Sequence, residues 1–226
     1  MDGLLQWLRQ LQLNNLADLA LILVSSLLCI TVHETCHGLV AWWMGDDTAK
    51  RQGRLTLNPL RHIDPMGLLM MAVARFGWAK PVPVDMRRFR SPKVGMALTA
   101  LAGPLSNVLL ALICAVLQVL VLYIHVQNPT GATEYLWLFL EYSILLSSGL
   151  AVFNLFPIPP LDGSKILFSV LPHKWYRVLM NYERWGMLLM VVLLLTGILD
   201  RPLLYLRNGL LDGLAMICQP LYSLMN

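Results

Sequence analysis

Residues 17–43 read Ala17-Asp-Leu-Ala-Leu-Ile-Leu-Val-Ser-Ser-Leu-Leu-Cys-Ile-Thr-Val-His33-Glu34-Thr35-Cys36-His37-Gly-Leu-Val-Ala-Trp-Trp43. As a helix this run is about 40 Å long at ~1.5 Å per residue, enough to cross a hydrocarbon core of ~30 Å. It carries a cluster of ionisable side chains near its far end. The rest of the chain has the same apolar character. Of 226 residues, 57% are hydrophobic and 13% charged, with a mean hydropathy of +0.62. A soluble domain carries about 25% charged residues, and a globule of this size has too little interior to hide so much apolar surface. The composition argues against a disordered chain, a disulfide-stapled secreted domain and a nucleic-acid binder. The expected fold class is an all-α polytopic membrane protein.

Outward from that stretch, further apolar runs lie at about 94–126 and 135–156, a shorter amphipathic piece at 164–172, and two more runs at 185–199 and 203–225. About 4–6 transmembrane helices are expected, the last ones short or interrupted by Gly209 and Gly213. Leu4, Leu5, Trp7, Leu8 and Leu11 recur at helical spacing and read as an interfacial helix. The apolar run 66–76 is too short to span and reads as a dipping element. The expected organisation is an N-terminal interfacial helix over 1–16, a core over 17–172 and C-terminal membrane helices over 173–226. The 46–93 loop is too short for a separate gating domain of about 90 residues, so no appended regulatory module is expected. Cys29, Cys36, Cys114 and Cys218 form no CxxC pair and read as small hydrophobes rather than a disulfide framework.

Basic residues suggest the topology. Lys50, Arg51, Arg54, Arg61, Arg75, Lys80, Arg87, Arg88, Arg90 and Lys93 crowd the first long loop, and Lys165, Lys174, Arg177 and Arg184 a later one. The loop 127–134 has none. By the positive-inside rule the 46–93 and 163–184 loops face the cytoplasm and the 127–134 loop faces out. The 17–43 and 135–156 spans then end on the same side.

His33 and His37 stand at i, i+4 on one helix face, where two imidazoles can reach one metal ion. Glu34 is placed to act as general base toward a water activated there. Ionisable side chains at this depth are expensive without a function. A third ligand is needed, and Asn154-Leu-Phe-Pro157-Ile-Pro159-Pro160-Leu-Asp162-Gly163 offers one. Its prolines break the helix, and broken helix at membrane depth is tolerated where it lines a cavity. Asp162 has two readings, a metal ligand or a cap on the helix that follows. Its predicted place on the same side as His37 favours the first.

HETCH followed by NLFPIPPLDG resembles the site-2 protease family of intramembrane zinc metalloproteases, whose pattern is HExxH with a downstream N-x-x-P-x-P-x-L-D-G. The stretches Arg54-Leu-Thr-Leu-Asn58-Pro59-Leu-Arg-His62-Ile-Asp64-Pro65 and Ala102-Gly103-Pro104-Leu-Ser106-Asn107 resemble small bacterial members without appended PDZ or CBS domains. The resemblance implies one Zn2+ per chain held by His33, His37 and Asp162. It also implies Glu34 as general base, and Asn154 in contact with substrate or steadying the tetrahedral intermediate. The implied partners are transmembrane protein substrates and the lipid bilayer, with no nucleic acid; a homo-oligomer or a regulatory membrane partner is left open. The implied location is the bacterial inner membrane, with the site toward the cytoplasm.

Trp78-Ala-Lys80-Pro81-Val82-Pro83-Val84-Asp85 alternates and cannot pair on its proline side. It reads as an edge strand, a small membrane-associated β element offering Val82 and Val84 to an unwound substrate, or else as a Pro-rich surface loop. His62 reads as a structural hydrogen-bonding residue, Asn107 as helix packing, and Cys36 as a minor alternative ligand. The function expected is cleavage of transmembrane segments. The alternative is a catalytically inactive metal-binding membrane protein or a metal transporter. A transporter would spread ionisable residues over several spans, whereas here the dense cluster is HETCH with Asp162.

Overall fold

The computed structural model describes residues 16–67 and 79–225. Its helices are α1 (Leu16–Trp43), α2 (Pro92–Gln127), α3 (Gly131–Asn154), α4 (Asp162–Val170), α5 (His173–Thr196) and α6 (Asp200–Met225), with a single turn at Thr48–Arg51 and 3-10 turns at Pro59–Arg61 and Met86–Arg88. Proline at the first position of α2 leaves no helical donor unmet, because the first N–H groups of a helix have no partner in it. The expected interfacial helix over 1–16 and the dipping run 66–76 fall almost wholly outside the described residues.

Helices α1, α2 and α3 are each long and apolar enough to cross a membrane. The pair Trp185–Thr196 and Asp200–Leu224 passes the same test only together, and it is bent by 86°. The described helices therefore number three spans, or four if the bent pair is one, at or below the lower end of the expected range. The bend lies at Gly197, whose φ of 68° is left-handed backbone that glycine enters without steric cost.

The chain forms two compact units. One comprises Met1–Cys29, Asn107–Asn154 and Arg184–Asn226. In it Ala111, Cys114 and Val121 of α2 pack with Leu140 and Ile144 of α3 and Leu214 of α6. Small polar residues let its helices approach closely while meeting each other's polar atoms. Ser25 Oγ donates to the Phe139 carbonyl at 3.2 Å, and Ser147 Oγ to that of Asn107 at 3.0 Å. Gln118 Nε2 donates to Glu141 Oε2 at 2.6 Å.

The other unit comprises Ile30–Ser106 and Leu155–Glu183. It contains the far half of α1, the polar loop, the start of α2, the proline-rich turn and α4. The β element expected at 78–85 does not form among the described residues: Ile63 and Ala79 make an isolated antiparallel bridge, and residues 80–85 run on without a strand partner. Pro81 and Pro83 remove the donors a ladder requires. Side chains hold the segment instead, since Val82 N–H donates to Glu34 and Asp85 N–H to Asp46.

The turn between α3 and α4 closes on Gly163, where an added Cβ would overlap the Leu155 carbonyl and the Phe156 oxygen. These are backbone atoms and cannot swing away. Gly163→Ala is therefore expected to destabilise the protein by about 1–3 kcal/mol, as overpacking does. Gly149→Ala meets open space within α3 and is expected to be neutral or slightly stabilising. Thermal unfolding of the two detergent-solubilised variants checks this contrast.

Candidate metal centre

The far half of α1 presents His33 and His37 on one face, both buried. Their rings meet edge to face with centroids 4.5 Å apart. His37 Nδ1 donates to the Thr99 carbonyl at 2.6 Å, which fixes the proton on Nδ1 and leaves the Nε2 lone pair free. That Nε2 lies 3.0 Å from His33 Nε2. Asp162 Oδ2 lies 3.2 Å from the first histidine and 3.1 Å from the second. Zinc with ligands at 2.0–2.1 Å in a tetrahedron sets neighbouring ligand atoms about 3.3 Å apart. The observed triangle is close to that spacing, and its donor set of two imidazoles and a carboxylate suits the ion. The residues present fit the metal.

Asp162 opens α4 without capping it. The N-cap is Leu161, with no side-chain bond to the helix N-terminus, and the Asp162 carboxylate turns to the histidines instead. Its Oδ1 lies 3.5 Å from Lys165 Nζ, one turn on. Burial opposes ionisation of this carboxyl, but the contacts of His33, His37 and Lys165 hold it well below the usual carboxylate range. The wall behind the imidazoles is Gly103 of α2. A Cβ there would overlap His37 Nε2 and Cε1 and also His33 Cε1, so only glycine lets the α2 backbone approach the pair this closely.

Glu34 reaches the extended segment, where its Oε2 accepts from Val82 N–H at 2.8 Å. Val82 is buried and Val84 half-buried. Thr35 Oγ1 donates to the Thr56 carbonyl at 2.8 Å, and His62 Nε2 donates to the same oxygen at 2.9 Å. His62 is thus a buried structural residue of the loop. Cys36 is a half-buried free thiol outside the cluster of ligand atoms. Asn154 ends α3 in the other compact unit, and its Nδ2 donates to the Leu150 carbonyl at 3.0 Å.

The structure adds residues that sequence reading passed over. Thr99 acts through its backbone carbonyl, so no residue type could have signalled it. Gly103 lies in the stretch Ala102–Asn107, where its residue type alone does not single out contact with the histidines. Lys165 was counted only as a loop cation.

The profile of peptidase family M50 matches residues 122–197, a stretch that includes Asn154 and Asp162. The chain is 38% identical over 204 residues to the Bacillus subtilis (strain 168) protein named "Putative zinc metalloprotease YwhC", covering 88% of this chain and 93% of the relative. It is 32% identical over 185 residues to "Putative zinc metalloprotease Rip2" of Mycolicibacterium smegmatis, covering 80% of this chain and 69% of that one. Rip2 of Mycobacterium tuberculosis (strain H37Rv) is 30% identical over 206 residues, with coverages of 88% and 76%. No solved structure matches the chain significantly. Similarity sustained along nearly the whole of a relative makes this chain a member of peptidase family M50, the site-2 protease family, and a zinc metalloprotease.

Proposed function

We propose that the protein is an intramembrane endopeptidase that cleaves transmembrane segments of membrane-protein substrates, with one Zn2+ held by His33, His37 and Asp162. The observation that carries this reading is the place of the ligand atoms. His33 lies ten residues before Trp43 on a helix long and apolar enough to span the bilayer, about 15 Å along the axis from that end. A peptidase centre at that depth meets peptide bonds of other spans rather than of soluble chains.

When bound, zinc polarises the scissile carbonyl and lowers the pKa of water. His33 and His37 fix its position, with the Thr99 carbonyl holding the His37 tautomer. Glu34 takes the proton of the attacking water and returns it to the leaving amine. Its Oε2 is tied to Val82 N–H, so Oε1 is the atom that carries the proton. A substrate helix shields its own carbonyls and must unwind before attack. The segment holding Val82 and Val84 is the candidate surface for the unwound chain, by strand addition. Asn154, at the last turn of α3, is the candidate contact to the substrate carbonyl. The basic loops favour an orientation with the site toward the cytoplasm, and the bacterial relatives favour a bacterial inner membrane.

The test is a panel of synthetic single-span peptides, each with a helix-breaking Gly-Pro near its middle, incubated with purified protein and read by mass spectrometry. Wild type is expected to make zinc-dependent cuts within the apolar segment. Glu34→Gln should keep its zinc and lose at least about 100-fold in rate, the usual weight of a general base. Wild-type cleavage by that variant contradicts the mechanism, and zinc without cleavage in the wild type favours a protein that only binds metal.

The ligand set has its own readout. His33→Ala and Asp162→Ala are expected to lower zinc per chain, measured by elemental analysis after dialysis. Unchanged zinc in Asp162→Ala would return that residue to a structural role. Gly103→Ala should also lose zinc, because its methyl group displaces both imidazoles.

A further inference from the structure

We propose that Arg54 is a positioning residue for Glu34, acting through the peptide group that joins Pro81 to Val82. The inference rests on the reading of Glu34 as the general base. By sequence Arg54 is one of ten basic residues in a polar loop, yet it is only 7% exposed. Its burial begins with Gly53, whose φ of 62° turns the chain back after Thr48–Arg51, so that Arg54 N–H bonds to the Ala49 carbonyl at 2.9 Å. The guanidinium then reaches the extended segment, where Nη2 donates to the Lys80 carbonyl at 2.7 Å and the Pro81 carbonyl at 3.2 Å. Among the described residues these bonds are to carbonyl oxygens, and no ion pair accompanies them. A buried guanidinium is costly unless fixed acceptors receive it.

The second carbonyl belongs to the same peptide group whose N–H donates to Glu34 Oε2 at 2.8 Å. That peptide is trans, since the sole cis bond in the described backbone is Pro159–Pro160. In a trans peptide the C=O and N–H point in opposite directions. The guanidinium therefore sits at the oxygen end of the amide dipole and the Glu34 carboxylate at the hydrogen end. Each strengthens the other's bond by polarising the amide between them.

Proline on both sides of Val82 explains why this clamp is required. Pro81 and Pro83 lack N–H groups, so Val82 supplies the one donor in the stretch 81–83 and no ladder can set the plane of its peptide. The flanks are tied elsewhere, Lys80 N–H to the His62 carbonyl at 2.9 Å and Asp85 N–H to Asp46 Oδ2 at 2.6 Å. Among the described residues, Arg54 grips the middle from the side opposite Glu34. It thereby holds the carboxylate of Glu34 in one orientation and couples it to the segment proposed to receive substrate.

The experiment compares wild type, Arg54→Met, Arg54→Lys and Glu34→Gln as zinc-loaded, detergent-solubilised protein. It reads cleavage of one Gly-Pro single-span peptide, zinc per chain, and amide hydrogen exchange at Val82 by mass spectrometry. Rates are expressed per bound zinc, so that loss of folded protein does not count as loss of catalysis. Arg54→Met is expected to lower kcat per zinc by about 10–100-fold, the usual effect of losing a group that orients the reacting shell. KM should change by less than about twofold and Val82 exchange should speed up by about tenfold or more, as expected when one ordering hydrogen bond is lost. Arg54→Lys keeps a cation able to reach both carbonyls and should restore most of kcat and of the Val82 protection.

Wild-type kcat per zinc in Arg54→Met, beside an inactive Glu34→Gln, overturns the proposal while leaving the base in place. Activity in Glu34→Gln overturns the base instead, and Val82 exchange then decides by itself whether Arg54 orders the peptide. Unchanged Val82 exchange in Arg54→Met overturns the clamp.

Discussion

Two imidazole nitrogens 3.0 Å apart and a carboxylate oxygen 3.1–3.2 Å from each need a proton or a cation among them to stay buried. Without one the lone pairs would repel in a buried, low-dielectric place. In the proposed reading a metal ion meets this need. The surrounding architecture keeps the three atoms from drifting apart. The i, i+4 spacing on α1 sets the first two, the Thr99 carbonyl holds one ring by its far nitrogen, and the missing side chain of Gly103 lets α2 close over both. The third atom depends on a helix that stops. Prolines at 157, 159 and 160 end regular structure, Gly163 permits the tight return, and α4 starts so that Asp162 faces the histidines rather than its own helix end.

Around this centre the protein spends buried polarity on position. Glu34, Arg54, Asp46 and His62 each bond to backbone groups of the loop between α1 and α2. Such bonds do the work that a β ladder does elsewhere, because prolines make the ladder impossible here. A segment held by side chains has no neighbouring strand among the described residues, which suits a surface meant to receive another chain. That is how the absence of the expected strand and the proposed substrate contact are compatible.

Much of this was legible before the structure. Apolar runs place helices well, because lipid demands that every backbone polar group be satisfied within the segment; 17–43 became Leu16–Trp43 and 94–126 became Pro92–Gln127. The i, i+4 histidines were readable for the same reason, since helical spacing decides who shares a face. Asp162 was readable only conditionally, because its direction depends on the conformation of a proline-rich turn. Two things left no mark. A carbonyl such as that of Thr99 has no residue signature, and the burial of Arg54 depends on one left-handed glycine and the tertiary course of the loop. The number of C-terminal spans was not legible, because an apolar run does not reveal that two helices meet at 86°.

The central claim is that His33, His37 and Asp162 hold the metal. X-ray absorption at the zinc edge of the purified protein tests it most directly. The account predicts a shell of nitrogen and oxygen at about 2.0–2.1 Å, with the multiple scattering of two imidazoles and no sulfur. A sulfur contribution near ~2.3 Å, which Cys36 would supply, or the signature of fewer than two imidazoles would contradict it.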